Sequence, residues 1–189
     1  MSKPITLDPK TTAFVMIDLQ HGIMSRTTAP HTTDEVVARC AKLAETLREK
    51  GGMPVYVHVD LANFVKVNAD APTRDPNAPP PPAIASELVP AAGKKDSDLL
   101  ITKSHWSAFI NTELDAKLRA RGIRTVLIGG VATNYGVEST VRDGVGLGYD
   151  FVMLEDAMSS LSNELHRFSI ENIFPALGRV RVVSQITFS

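Results

Sequence analysis

The chain has 189 residues, enough for one domain with a substantial core of its own. Its 43% hydrophobic and 22% charged content is ordinary for a globular protein, and 20 basic against 21 acidic side chains leave a formal net charge of -1. That balance offers no basic field to hold a nucleic acid, and no apolar run nears the roughly 20 residues that cross a membrane. The opening residues Met1 to Thr6 lack the apolar segment of a signal peptide, so the expected compartment is cytoplasmic. A single cysteine, Cys40, excludes an intrachain disulfide and any cysteine-based zinc cluster.

Taken in order, Thr12 to Asp18 is a continuous apolar run that stops at a carboxylate, as in a buried parallel strand covered by helices on both faces. Gln20, His21 and Gly22 begin a loop. Thr32 with Glu35 fits a capping box, and Val36, Val37, Cys40, Leu43, Ala44 and Leu47 recur at helical spacing as far as Gly51. Cys40 lies on that apolar stripe and reads as a small buried hydrophobe. Pro54 to Val59 makes a second strand. Residues 60–97, with Pro72, Pro76, Pro79 to Pro82 and Pro90, are too proline-rich for regular structure, and such a long connection either covers a site or takes part in subunit contact.

Asp98 to Lys103 is a third strand, ending on a lysine. The loop Ser104 to Phe109 follows, then a helix over Thr112 to Arg121 closed by Gly122. Thr125 to Ile128 is strand four, residues 134 to about 147 a helix, and Phe151 to Leu154 strand five. A helix capped by Asn163 runs through Phe168, Ile170 and Ile173, and Val180 to Val183 is the sixth strand. The alternation predicts one three-layer α/β/α domain over residues 1–189, with a six-stranded, mostly parallel, doubly wound sheet.

Three strand ends carry distinctive residues: Asp18, Lys103 and the small-residue turn Val131 to Gly136. Carboxyl ends of neighbouring strands share one edge of a doubly wound sheet, so the three can meet there. A carboxylate and an ammonium beside helix N-terminal amides form a general acid/base pair next to an oxyanion-binding turn, although each alone is also an ordinary solvated strand end. Trp106 and Phe109 either line an apolar pocket or pack in the core or a subunit contact. Asp156, taken to end strand five, either reaches the same edge or caps. His58 reads as a satisfied strand residue, because no second ligand stands at a useful spacing; no metal and no cofactor is expected.

The runs Phe14-Val15-Met16-Ile17-Asp18-Leu19-Gln20, Lys103-Ser104 and Gly130-Val131-Ala132-Thr133-Asn134 follow the order and spacing seen in the isochorismatase-like hydrolases, or cysteine hydrolases. The chain resembles that superfamily over essentially its whole length. The resemblance implies the six-stranded fold, a small-molecule substrate, a homo-oligomer (dimer or tetramer), and a catalytic Asp, Lys and Cys. Asp18 and Lys103 match the first two. The nucleophile position falls on Gly136, within Ala132-Thr133-Asn134-Tyr135-Gly136-Val137-Glu138-Ser139-Thr140, and glycine cannot form a thioester. Cys40, mid-helix, is no substitute. The resemblance also implies a cis peptide between Val131 and Ala132 that aims backbone N–H groups at an oxyanion; Val131, Ala132, Tyr135, Trp106 and Gln20 are the residues expected to contact an oxyanion or substrate. Tyr135 would partly fill the space beside the empty position. The Asp-x-His metal pattern of the zinc-dependent nicotinamidase branch is absent, since the chain reads His58-Val59-Asp60-Leu61 there.

Isochorismatases similarly have glycine at this position and hydrolyse a vinyl ether by protonation, with the Asp as general acid, chemistry that needs only a carboxyl of raised pKa and a directed water. The Pro-rich loop shows no convincing counterpart of their substrate-binding segment. Two expectations follow. One is a hydrolase working without a covalent intermediate, with Asp18 as acid/base, Lys103 as electrostatic support and the amides of Ala132 and Gly136 as an anion-binding nest. The other is a non-catalytic binder or structural oligomer that kept the fold without its nucleophile.

Overall fold

The computed structural model describes residues 3–72, 75 and 78–189; Met1, Ser2 and Pro76 of the proline-rich connection lie outside them. Eight strands are present among the described residues: β1 (Ile5–Leu7), β2 (Thr12–Ile17), β3 (Met53–Val59), β4 (Leu99–Lys103), β5 (Thr125–Val131), β6 (Asp150–Ser159), β7 (Arg179–Arg181) and β8 (Ile186–Phe188). Six of them form one parallel sheet in the order β4-β3-β2-β5-β6-β7, and β1 pairs with β8 in a separate parallel ribbon. The winding direction reverses between β2 and β5, so the connections leaving those two strands diverge and open a crevice at their carboxyl ends.

β2 shows why its sequence is apolar from Ala13 to Ile17. Ala13, Val15 and Ile17 join the core on one face, while Phe14 and Met16 join the core on the other. The second face is covered by α2 (Thr33–Glu49), whose buried residues are the six of the predicted stripe, Cys40 among them. Its capping box is formed: Thr32 Oγ1 accepts from Glu35 N–H at 3.2 Å, and Glu35 accepts from Thr32 N–H at 2.9 Å. The first face is covered by α3 (Leu114–Ala120) and α4 (Glu138–Gly146). Ahead of α2 stands α1 (His21–Met24), a single turn.

Several boundaries differ from the sequence reading. β5 continues three residues beyond Ile128, through a Gly-Gly pair that reads as a turn. Here glycine serves close strand approach: a Cβ on Gly129 would stand 2.6 Å from Ala157 O, and one on Gly130, at φ +111, 2.1 Å from Ile17 O. β6 runs to Ser159 because its register against β5 shifts between Ile128 and Gly130, absorbing extra residues in a bulge. Glu155 and Asp156 therefore sit inside the strand, and Asp156 Oδ1 accepts from Val183 N–H at 2.8 Å, a capping role. α5 (Asn163–Phe168) is capped by Ser162, whose Oγ accepts from Leu165 N–H at 3.2 Å; Asn163 is its first helical residue. The helix then widens into a π turn (Ser169–Ile173) before α6 (Phe174–Leu177). β7 starts and stops earlier than predicted, at Arg181.

Between β3 and β4 the described residues of 60–97 hold only two short 3-10 turns, Ala83–Ser86 and Pro90–Ala92. Backbone bonds tie this connection to the sheet's carboxyl edge: Val89 N–H to Leu19 O, His21 N–H to Glu87 O, Asp60 N–H to Lys103 O and Val65 N–H to Ser104 O. No helix among the described residues is long and apolar enough to cross a membrane.

Candidate active site

Asp18 is the first residue past β2. Its φ of +57 turns the chain sharply, a conformation that aspartate tolerates better than most residues. Its N–H donates to Val57 O and its own carbonyl accepts from Gln20 N–H, both at 2.8 Å, so the reversal is fixed from both sides. The last residue of β4, Lys103, reaches across β3 and donates from Nζ to Asp18 Oδ2 at 2.9 Å and to His105 O at 3.3 Å. Both side chains are nearly sealed, Asp18 at 6% and Lys103 at 2% exposure. Burial holds the Asp18 carboxyl above the ordinary carboxylate range, against the opposing pull of Lys103. Asp18 Oδ1 is buried without a hydrogen-bond partner.

The third corner is the turn after β5. The Val131–Ala132 peptide is cis, and Thr133–Val137 forms a π-helical turn that leads into α4. The Ala132 carbonyl accepts from both Tyr135 N–H and Val137 N–H, holding the turn closed. A Cβ built on Gly136 would lie 3.5 Å from Asp18 Oδ2, 3.5 Å from Lys103 Nζ and 3.0 Å from Ile17 Cγ2. Any side chain at residue 136 would thus stand directly against the ion pair. Three strand ends separated widely in sequence converge on one small volume.

The remaining residues divide. Tyr135 stacks on Trp106, with ring centroids 4.9 Å apart and planes 26° apart, and Phe64 of the proline-rich connection meets Trp106 edge-on at 4.9 Å. These aromatic side chains adjoin the Gly136 turn. Phe109 instead packs in the core against Tyr149. Val131 is buried and Ala132 half-buried within the turn itself. Gln20 departs from its expected role of contacting substrate. Fully buried, it donates from Nε2 to Val59 O and Ala85 O and accepts at Oε1 from Val59 N–H, so its amide stitches β3 to the connection that follows.

His58 engages Ser86 O through Nδ1 and Thr102 Oγ1 through Nε2, both within 2.7 Å, leaving neither nitrogen open. No group of three or more His, Cys, Asp or Glu suited to a metal occurs among the described residues. Cys40 is buried and donates to Ala157 O at 3.4 Å, and burial pushes its thiol well above the usual range.

Sequence reasoning missed a second buried cluster behind the turn. His166 of α5, 1% exposed, meets Thr133 Oγ1 through Nδ1 at 2.8 Å, and its ring stands edge-on to His31. Ser160 Oγ donates to Asn134 Oδ1. The pattern of α5 points away from His166, because its neighbours Leu165 and Phe168 are the apolar residues and yet are exposed.

An acid, a cation and a backbone turn thus meet at the switch point of a doubly wound sheet, where open α/β folds hold their ligands. The comparisons with known proteins carry this to a family: residues 12–185 match the isochorismatase domain, and the chain belongs to the isochorismatase family. It is 44% identical to the isochorismatase family protein YecD of Escherichia coli O157:H7, over 96% of this chain and 97% of that one. It is 33% identical to the ureidoacrylate amidohydrolase RutB of Methylobacterium radiotolerans, over 96% of this chain and 80% of that one. Among solved structures, an isochorismatase family protein from Burkholderia thailandensis superposes with a TM-score of 0.90 at 38% identity, covering 98% of this chain and 97% of the other.

Proposed function

We propose that the chain hydrolyses a small molecule at the Asp18–Lys103–Gly136 corner without forming a thioester. The observation that carries this is the position of Gly136: the volume a nucleophilic side chain would fill lies within 3.5 Å of Asp18 Oδ2 and Lys103 Nζ, beside an unpartnered Asp18 Oδ1. A water in that volume has an acceptor for one proton and a cation beside it. On an amide, the Asp18 carboxylate takes a proton from this water as its oxygen attacks the carbonyl carbon, then returns the proton to the leaving nitrogen. On a vinyl ether, protonated Asp18 gives its proton to the alkene carbon, water adds to the resulting oxocarbenium carbon and yields a proton to Asp18, and the hemiketal so formed breaks its C–O bond to the leaving alcohol, its hydroxyl proton passing to that oxygen as the carbonyl forms. The raised carboxyl suits both, since either cycle passes through the protonated acid.

Lys103 keeps the pair compensated when Asp18 is ionised, and the amides of Ala132 and Gly136 serve as donors to the developing oxyanion. The substrate is taken to be planar and conjugated near the reacting bond, as a ureidoacrylate is; the amidohydrolase relatives and the aromatic side chains of Tyr135 and Trp106 support this. The chain is also taken to be a homo-oligomer, a reading supported by Leu165 and Phe168 of α5 and by Leu161 just before it, large apolar residues left exposed.

A panel of acrylate amides, simple primary amides and vinyl ethers, offered to the purified protein, tests the reading. Turnover of at least one member is expected. Ligands that raise the melting temperature with no turnover across the panel would instead support the non-catalytic binder.

A further inference from the structure

One buried titratable side chain near the corner has no part in the chemistry above. His166 is 1% exposed, its Nδ1 is taken by Thr133 Oγ1 at 2.8 Å, and its Nε2 is buried without a partner. A phenylalanine or leucine would fill the same space without an orphan nitrogen, whose burial is costly. Such a group in a packed interior calls for a reason.

Its contact supplies one. Thr133 is wholly buried and is the first residue of the π turn that carries Gly136. On its own side that turn is closed by the Ala132 carbonyl, which accepts from Tyr135 N–H at 3.1 Å and Val137 N–H at 3.3 Å. Its outward anchors are Thr133 to His166 on α5, Asn134 to Ser160 just past β6, and Gly136 O, which accepts from Thr140 Oγ1 at 2.7 Å, a hydroxyl that itself accepts from Ala108 N–H at 2.9 Å. The imidazole is held neutral, its pKa lowered to about 4 by burial and by His31, so it can act as donor or acceptor toward Thr133 without placing a charge behind the turn. Thr133 at its start and Thr140 beyond its end thus brace the turn that carries Gly136, with His166 holding the Thr133 end.

We propose that His166 is a positioning residue: through Thr133 it fixes where Gly136 stands against Asp18 and Lys103, and so the room left for the attacking water. This rests on reading the corner as the reaction site, but its test needs no turnover. In full-length protein carrying Gly136→Cys, the introduced thiol reports the local geometry through its rate of alkylation by iodoacetamide, with Cys40 as the buried internal control. Adding His166→Phe or Thr133→Val lowers that rate about ten- to a hundred-fold, the scale of an ångström-sized misplacement.

Both substitutions together do no more than either alone, because they remove one contact. His166→Asn, whose amide can reach the place of Nδ1, keeps the rate within about three-fold of the parent. Melting temperatures measured alongside separate this from general loosening, which would speed the labelling of Cys40 as well. If His166→Phe does not fold, Thr133→Val, close in shape to the native residue, decides the matter. An unchanged alkylation rate in folded His166→Phe or Thr133→Val, or effects that simply add, overturns the proposal. A substrate panel without turnover would overturn the hydrolase reading and leave these rates to decide His166 independently.

Discussion

Removing one member of the Asp18–Lys103 pair is costlier than removing both. Side-chain exposures of 8% and 1% leave almost no water to screen the pair. Lys103→Met leaves the Asp18 carboxylate buried beside an apolar chain, and loss of one partner of a buried pair costs about 3–5 kcal/mol. Asp18→Asn strands the Lys103 ammonium at a similar cost, with the backbone undisturbed, since asparagine tolerates the φ of +57 as readily as aspartate. The double variant buries no net charge, and replacing a buried pair by neutral groups of similar volume is neutral or stabilising by about 1–4 kcal/mol. Urea denaturation at pH 7 and 25 °C on the four proteins therefore gives a double variant more stable than either single one. Additive losses, with the double variant the least stable of the four, would refute the reasoning.

Gly130→Ala puts a Cβ 2.1 Å from Ile17 O at φ +111 and should cost more than about 4 kcal/mol or prevent folding; Gly51→Ala, at φ +80 with nothing within 4 Å, should cost about 1 kcal/mol, as thermal melts of the two will show. Thr32→Ala breaks the capping box of α2 and should lower stability by about 1 kcal/mol in denaturant titrations. For His166, with a native pKa of about 4 against 6.5 unfolded, the unfolded chain binds more protons between those values, so stability is lost as pH falls through that window, by about 3 kcal/mol; His166→Phe should flatten this part of the stability–pH curve. Asp18 acts in the opposite sense, since its raised carboxyl gives a contribution present below pH 3.8 and lost as pH rises, and Asp18→Asn should remove that limb.

The sheet was readable because burial on both faces makes β2 apolar from Ala13 to Ile17, and α2 because its stripe and capping box are both local signals. Asp18 and Lys103 were readable as strand ends. The far ends of β5 and β6 were not: Gly129 and Gly130 look like a turn, and only the approach of Ala157 and Ile17 from neighbouring strands explains them. Three-residue strands such as β1 and β8 carry too little pattern to detect. Gln20 misleads because its neighbour Asp18 is in the site while its own amide is spent on backbone groups distant in sequence. His166 is hidden for a related reason: α5 exposes Leu165 and Phe168 and buries its histidine, the reverse of what amphipathic periodicity suggests.

The central claim is that Asp18 moves the proton in a hydrolysis that needs no side chain at residue 136. Its most direct test is kcat for wild type and Asp18→Asn on whichever panel compound is turned over, at equal folded protein. A loss of about 10²–10⁴-fold in Asp18→Asn, the range of general acid–base catalysis, is the predicted result. Turnover in Asp18→Asn at the wild-type rate would contradict the account.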